Sequence, residues 1–391
     1  MKIILYCQHI WGVGHYFRSL EICKAMIGHD VLMVTGGAEV DAPLPGHVRT
    51  FRLPGLMTDR NYNGLFPTAK GRTLEAVEAE RQQLLFNLFE REAPDAFLVE
   101  LYPFGRRAFR FELDPVLSGI RTGKLHRCVV ACSLRDILVE KKDPAVYEKR
   151  VVDILNRRFD ALLVHADPGL ITLDRTFARL DELIIPVVYT GFITPRPMAD
   201  ARCRMRQRLG IDEDTTLIVA SAGGGQAGIV LLEPLLKSLA YIETDRPFML
   251  CVFTGPYMPA DEFMLLDRHA HSRVKVERFT AEFLSFLSAA DLSISMGGYN
   301  TCMNILATGV AALVWPYPGD REQGVRAKRM EKIGAITVLQ AKDLQPERLA
   351  AVIGRRINTA KPVFHSVNLD GAARTAEWIR NSVARFPLLN S

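Results

Sequence analysis

The chain of 391 residues has 48% hydrophobic and 24% charged side chains at a mean hydropathy of +0.07. That balance excludes a disordered or low-complexity protein, and the length predicts two cores rather than one. A net charge of +5, with its basic excess in the second half, is too mild and dispersed for nucleic acid and suits an anionic small-molecule substrate. No run approaches the ~18 apolar residues of a membrane span. The opening MKIILYC turns polar at Gln8-His9 too soon for a signal peptide. The seven cysteines lack CxxC or Cys/His ligand spacing, so reduced thiols in a cytoplasmic protein, without a bound metal, are expected.

In chain order, KIILYC, DVLMVTG, HVRTFRL, DAFLVE, RCVVACS, DALLVHA and LIIPVVYTG predict strands separated by helical-period segments. TGFITPRPMADA, interrupted by two prolines, reads as the joint. The cycle restarts with TLIVASAGGG, PFMLCVFTG, VKVERF, DLSISMGG, AALVWPYPG and AITVLQ, and GAARTAEWIRNSVARF closes the chain as an amphipathic helix. Alternating strands and helices predict an α/β protein of two doubly wound, Rossmann-like domains, residues 1–195 and 196–368, with a terminal helical segment 369–391. Ligands of such sheets bind outside the carboxyl ends of the strands.

After the first strand comes QHIWGVGHYFRS. A dinucleotide fingerprint needs a third glycine and an acid ending the second strand. Phe17 holds the glycine position, and the second strand runs into Thr35-Gly36-Gly37, with Glu39 and Asp41 beyond it. Gly12 and Gly14 instead permit a tight turn that delivers His15 to the first turn of a helix, as a proton acceptor or as a packing residue. His29, in GHDV, reads as a turn residue before the second strand. Arg135 and Asp136 after CVVACS, and His165 and Asp167 after ALLV, are candidates to support His15, or structural caps and ion pairs.

In the second half, SAGGGQAG places Gly223, Gly224, Gly225 and Gln226 between strand and helix, exposing backbone N–H groups for an anion. SMGGYNTCMNIL repeats the arrangement with Gly297, Gly298 and Tyr299, and Asn300 or Thr301 is expected to cap the helix. Two such turns point to a diphosphate. Asn304, one turn on, is placed to meet a ribose. WPYPGDREQ presents Asp320, Arg321, Glu322 and Gln323 as a cluster for sugar hydroxyls, or as an ordinary solvated loop.

Across nearly the whole chain these stretches resemble the GT-B glycosyltransferases, most closely the MurG-type transferases of glycosyltransferase family 28. GVGHYFRSLEICKAM is similar to their first loop and helix, SAGGGQAG to their diphosphate loop, and GGYNTCMNILATGVAALVWPYPGDREQGVRA to their donor signature. LYPFGRRAFRFEL, SLRDIL and LLVHADP resemble a bacterial subgroup of predicted glycosyltransferases. The resemblance implies an N-terminal acceptor domain facing a C-terminal donor domain across a cleft, and a terminal helix crossing back. It also implies inverting transfer from a nucleotide sugar, commonly UDP-linked, as co-substrate, with no cofactor or bound metal. By it, His15 is the base on the acceptor hydroxyl, and Gly223 to Gly225 with Gln226 hold the diphosphate. Gly298 and Thr301 form a second phosphate turn, and Glu322 with Gln323 faces the donor sugar. Asn304 departs from the pattern, standing where the family has a glutamate on the ribose.

Two other readings stay open at the sequence level. The stretch Gly12 to Arg18 also resembles the water-directing loop of GT-B-like UDP-sugar hydrolases, and Asn304 suits a non-catalytic nucleotide-sugar binder. Apolar side chains in QQLLFNLFERE and NYNGLF belong either to the core or to a contact with the inner face of the membrane.

Overall fold

The computed structural model describes residues 1–9, 14–37, 39–58, 64–138, 143–244, 246–357 and 367–385; Gly12 and Val13 of the opening turn and residues 61–63 lie outside them. The chain divides into two compact units, Met1–Ile193 with Asn368–Ser391, and Thr194–Val367.

The first unit runs β1 (Lys2–Tyr6), α1 (Gly14–Ala25), β2 (Asp30–Thr35), β3 (Val48–Arg52), β4 (Leu56–Thr58), β5 (Leu65–Pro67), α2 (Leu74–Glu92), β6 (Ala96–Glu100), α3 (Arg110–Thr122), β7 (Val129–Arg135), α4 (Pro144–Arg158), β8 (Ala161–His165) and β9 (Val187–Tyr189). Its seven-stranded sheet has the order β3-β2-β1-β6-β7-β8-β9, and every pairing in it is parallel. The order reverses between β1 and β6, so the crevice of this sheet opens there.

Alternation along the strands divides two apolar faces. Ile3 and Leu5 pack with Leu20 and Cys23 of α1. On the other face, Phe97 of β6 meets Phe89 of α2 edge-on, ring centroids 4.6 Å apart. The helix borders follow local chemistry. Thr73 caps α2 by accepting the Ala76 N–H, and Asp143 caps α4 ahead of Pro144. QQLLFNLFERE lies on α2 with Leu85, Leu88 and Phe89 buried, so these side chains are core. Among the described residues, the antiparallel pair of β4 and β5 is the one sheet element not anticipated from the sequence.

The second unit runs α5 (Ala201–Leu209), β10 (Thr216–Ser221), α6 (Ile229–Ser238), β11 (Phe248–Phe253), α7 (Ala260–Asp267), β12 (Val274–Glu277), α8 (Phe283–Ala289), β13 (Leu292–Met296), α9 (Tyr299–Thr308), β14 (Ala311–Trp315), α10 (Arg321–Lys332), β15 (Thr337–Val338) and α11 (Pro346–Ile357). Its sheet order, β12-β11-β10-β13-β14-β15, reverses between β10 and β13. The loops leaving those two neighbouring strands are the two glycine turns singled out above.

The terminal helix α12 (Gly371–Arg385) returns to the first unit, where Ala376 and Ile379 join the core formed with α1. Burying a side chain of isoleucine size contributes roughly 1.5–3 kcal/mol. Among the described residues no helix is long and apolar enough to cross a membrane.

Candidate functional site

In the first unit the crevice residues come from both sides of the β1/β6 reversal. His15 stands in the first turn of α1 and Glu100 ends β6; His15 Nδ1 is 2.6 Å from Glu100 Oε1. Arg18, one turn further along α1, donates from Nη2 to the same oxygen at 2.6 Å and lies 3.1 Å from His15 Nδ1. Glu100 Oε2 has no hydrogen-bond partner among the described residues, and Arg106 Nε is 3.9 Å from it. Burial alone would raise the Glu100 pKa, but His15, Arg18 and Arg106 outweigh it and hold the carboxylate well below its usual range. Burial lowers His15 to about 4 against the opposing pull of Glu100, with Arg106 and Arg18 adding to the drop. A neutral ring beside an ionised carboxylate carries its proton on Nδ1, which leaves the Nε2 lone pair available to accept one.

Glu100 is a candidate site residue that the sequence alone does not single out. It closes an apolar strand 85 residues from His15, and no spacing connects the two. The available signal was an acid at the carboxyl end of the strand that flanks the first.

His165 is fully buried, with Nε2 2.6 Å from Ser133 Oγ and Nδ1 2.8 Å from Thr190 Oγ1. Both ring nitrogens are occupied within the core, and burial, with the nearby Arg18 charge, drives its pKa down to about 3. Arg135 closes β7, and Asp136 is buried immediately after it. Ser133 is the β7 residue that meets His165. Asp167 accepts the Gly169 and Asn368 amides at 2.8 and 2.7 Å, fastening the terminal segment to the first unit.

In the second unit the turn after β10 is built by close approach. Gly225 has φ +97, and a Cβ there would fall 2.5 Å from the Thr254 carbonyl oxygen. Gly255, at φ +94, lies equally close to Gly223 and Gly224. Only glycine fits either position. Two of the amides expected to face an anion are used locally: Gly223 N–H donates to Ser221 Oγ at 3.2 Å, and Gly225 N–H to the Ala222 carbonyl at 3.3 Å. The amides of Gly224, Gln226 and Ala227 have no acceptor among the described residues.

At the neighbouring turn, α9 starts at Tyr299 with Gly298 as its N-cap and no side-chain cap. Asn300 and Thr301 therefore do not cap the helix, contrary to expectation. Gly298 is extended at φ −62, ψ 148, and its carbonyl already accepts the Cys302 amide at 3.0 Å, which puts both residues inside the first turn. The uncapped helix end carries a partial positive charge and amides suited to an anion.

Arg326 is buried beneath this turn. It donates from Nη1 to the Gly297 carbonyl at 3.1 Å and lies 5.4 Å from the centre of the Tyr299 ring. Asp320 is a helix cap, accepting the Glu322 and Gln323 amides at 3.0 and 3.3 Å. Gln323 is held at both ends of its amide: Oε1 accepts the Tyr317 N–H at 3.2 Å and Nε2 donates to Asp320 at 3.1 Å. Arg321 and Glu322 occupy the first turn of α10. Asn304 Oδ1 accepts the Thr194 hydroxyl at 3.1 Å, which leaves its NH₂ group as the remaining donor of that side chain.

Comparison with known proteins agrees with this architecture. Residues 219–364 match the glycosyltransferase family 28 C-terminal domain. The chain is 24% identical over 243 residues to an uncharacterized glycosyltransferase of Methanopyrus kandleri, covering 60% of this chain and 66% of that protein. It is 28% identical over 204 residues to the UDP-N-acetylglucosamine--N-acetylmuramyl-(pentapeptide) pyrophosphoryl-undecaprenol N-acetylglucosamine transferase of Gloeothece citriformis, covering 50% and 52%. The matched region thus spans less than two thirds of either relative. The solved structure of Acinetobacter baumannii MurG superposes with a TM-score of 0.54 at 18% identity, covering 98% of both chains. The α/β architecture is that of the GT-B glycosyltransferases, and residues 219–364 are similar to the C-terminal domain of glycosyltransferase family 28.

Proposed function

We propose that the protein is an inverting glycosyltransferase, moving a sugar from a UDP-linked donor to an acceptor hydroxyl without a resident metal ion. The observation that carries this reading is the pair of glycine turns on adjacent strands β10 and β13, each followed by a helix N-terminus. In this reading the residues 1–195 bind the acceptor and 196–368 the donor. The amides of Gly224, Gln226 and Ala227 and the start of α9 stabilise the charge that develops on the leaving diphosphate. The acceptor hydroxyl passes its proton to His15 Nε2. Its oxygen attacks the anomeric carbon as the bond to the diphosphate breaks, and UDP departs with the electron pair on the face opposite to attack. Glu100 keeps the imidazole in the tautomer this requires and stabilises the imidazolium that forms. Work at the inner face of the membrane belongs to the same reading, supported by the undecaprenol-linked acceptor in the Gloeothece relative's name.

The test is thermal unfolding against UDP, TDP, GDP, ADP and NAD, since a ligand at ~100 times its dissociation constant adds about 2.7 kcal/mol to native stability. UDP is expected to stabilise selectively. Stabilisation by NAD alone, or by none of the panel, overturns the donor assignment. Sugar released from the bound donor at a rate no acceptor improves would replace transfer by hydrolysis.

A further inference from the structure

The loop that follows Glu100 carries more positive charge than the His15 pair uses. Arg106 stands in the left-handed region at φ 57. Arg107 opens a single 3-10 turn, Arg107–Phe109, and Arg110 begins α3, so the two exposed guanidiniums lie one turn apart. Arg150 of α4 reaches the same place by a separate route. Its guanidinium lies 5.5 Å from the centre of the Tyr147 ring, and the Tyr147 hydroxyl donates to the Phe104 carbonyl at 2.7 Å.

The acids around this cluster are engaged elsewhere. Glu100 takes His15 and Arg18. Asp114 takes Arg158 at 2.6 Å and the Tyr102 hydroxyl at 2.5 Å. Glu148 accepts the amides of Ala178 and Arg179 at 3.0 and 3.1 Å. Among the described residues no carboxylate forms an ion pair with Arg107, Arg110 or Arg150. Burial first, then the charge of Arg107 and, more weakly, of Arg110, lowers the Arg150 pKa against the opposing pull of Tyr147 and Tyr102.

Strained backbone and uncompensated charge beside a reactive pair are features that a ligand repays. We propose that Arg107, Arg110 and Arg150 form a binding site for a dianionic group of the phosphate-ester class on the acceptor. Guanidinium forks match tetrahedral oxyanions bidentately, and a doubly charged group relieves the mutual repulsion of several arginines where a single carboxylate does so only in part. Arg106, 3.9 Å from Glu100, links the site to the His15 pair, so anchoring the anion positions the acceptor hydroxyl near the base. The inference rests on His15 serving the acceptor.

The test uses the full chain with UDP present to fill the donor turns, and follows binding of phenyl phosphate by calorimetry. Phenyl phosphate is expected to bind more tightly than benzoate. R107Q/R110Q should weaken it about tenfold or more, while R348Q/R374Q, which removes the same charge elsewhere, should not. Because Arg107 and Arg110 are exposed, the double variant is expected to fold as the parent does; R150Q gives a second reading of the same site. A parallel arm measures sedimentation with phosphatidylcholine vesicles containing phosphatidic acid. Phenyl phosphate binding lost in R107Q/R110Q assigns a soluble source, and vesicle binding alone lost in it assigns a lipid headgroup; either result supports the site. Equal binding by parent and variants in both arms overturns it. H15A is expected to leave both arms unchanged, whereas failure of the catalytic reading shows separately, as sugar transfer that survives H15A.

Discussion

Glu100 at the end of β6 and His15 at the start of α1 meet at 2.6 Å across the reversal point of the first sheet. Replacing the carboxylate by an amide keeps its size but removes the charge that fixes the imidazole proton on Nδ1. E100Q is therefore expected to lower kcat by about 10²–10⁴-fold while leaving UDP binding intact. Transfer by E100Q within a few-fold of the parent rate would refute the role of this pair.

Two glycine substitutions separate binding from folding. At Gly298 the backbone suits any residue and a Cβ meets nothing within 4 Å, so G298A should preserve the unfolding midpoint. Its methyl group enters the space assigned to phosphate, and UDP affinity should fall by about tenfold. G225A forces a Cβ to 2.5 Å from a carbonyl oxygen at φ +97 and should cost stability as well as affinity. Unchanged UDP affinity in a fully folded G298A would remove this turn from the donor site.

The pH dependence of stability reports on His165. Its pKa is about 3 in the folded protein, below the ordinary 6.5, so between these values the unfolded chain binds a proton that the native chain refuses. Stability consequently rises with pH through that window, by about 1.4 kcal/mol per pH unit for each such histidine, and levels off above 6.5. His15 behaves alike down to about 4. Urea unfolding of H165Q between pH 4.5 and 6 should show a slope shallower by one histidine's share, and an unaltered slope would mean that His165 is protonated in the fold.

A buried ion pair holds the other face of the first sheet. Arg81 donates from Nε and Nη2 to Glu112 at 2.8 and 2.6 Å, and from Nη1 and Nη2 to the Pro54 carbonyl and Gln8 at 2.7 and 2.8 Å. Both ionic side chains are fully buried. R81M leaves Glu112 charged without its partner and should cost about 3–5 kcal/mol, whereas R81M/E112L should recover much of the loss. Chemical denaturation of the two variants decides it; equal destabilisation by both would assign the cost to lost shape rather than to an orphaned charge.

The main strands were legible because each is an apolar run long enough to cross a sheet, punctuated by Gly, Pro or Asp. The β4–β5 hairpin was not, since its three-residue strands lie in no longer apolar run of the kind that holds β9 in LIIPVVYTG, and Pro54-Gly55 reads as loop. Within the site, glycine turns and His15 announce themselves through local chemistry. Glu100 and Arg326 do not, because their meaning lies in partners on other elements, 85 residues away for Glu100 and 29 for Arg326. Asn300 and Thr301 have the composition of a cap, but where a helix starts depends on φ and ψ at Gly298. Asp320 shows the converse, a residue expected to serve sugar hydroxyls that is occupied in capping α10.

The second unit is an insertion within the first. The chain leaves at Ile193 and re-enters at Asn368, and there Ile193 bridges Asp370 and the Phe192 amide donates to the Asn368 carbonyl at 2.8 Å. Departure and return are thus stitched side by side in one fold. On the ribosome this inverts the usual order: the unit whose strands emerge first lacks Ala376 and Ile379 until the chain beyond the inserted unit is made. It waits with part of the α1 face bare while the inserted unit, contiguous in sequence, can already close.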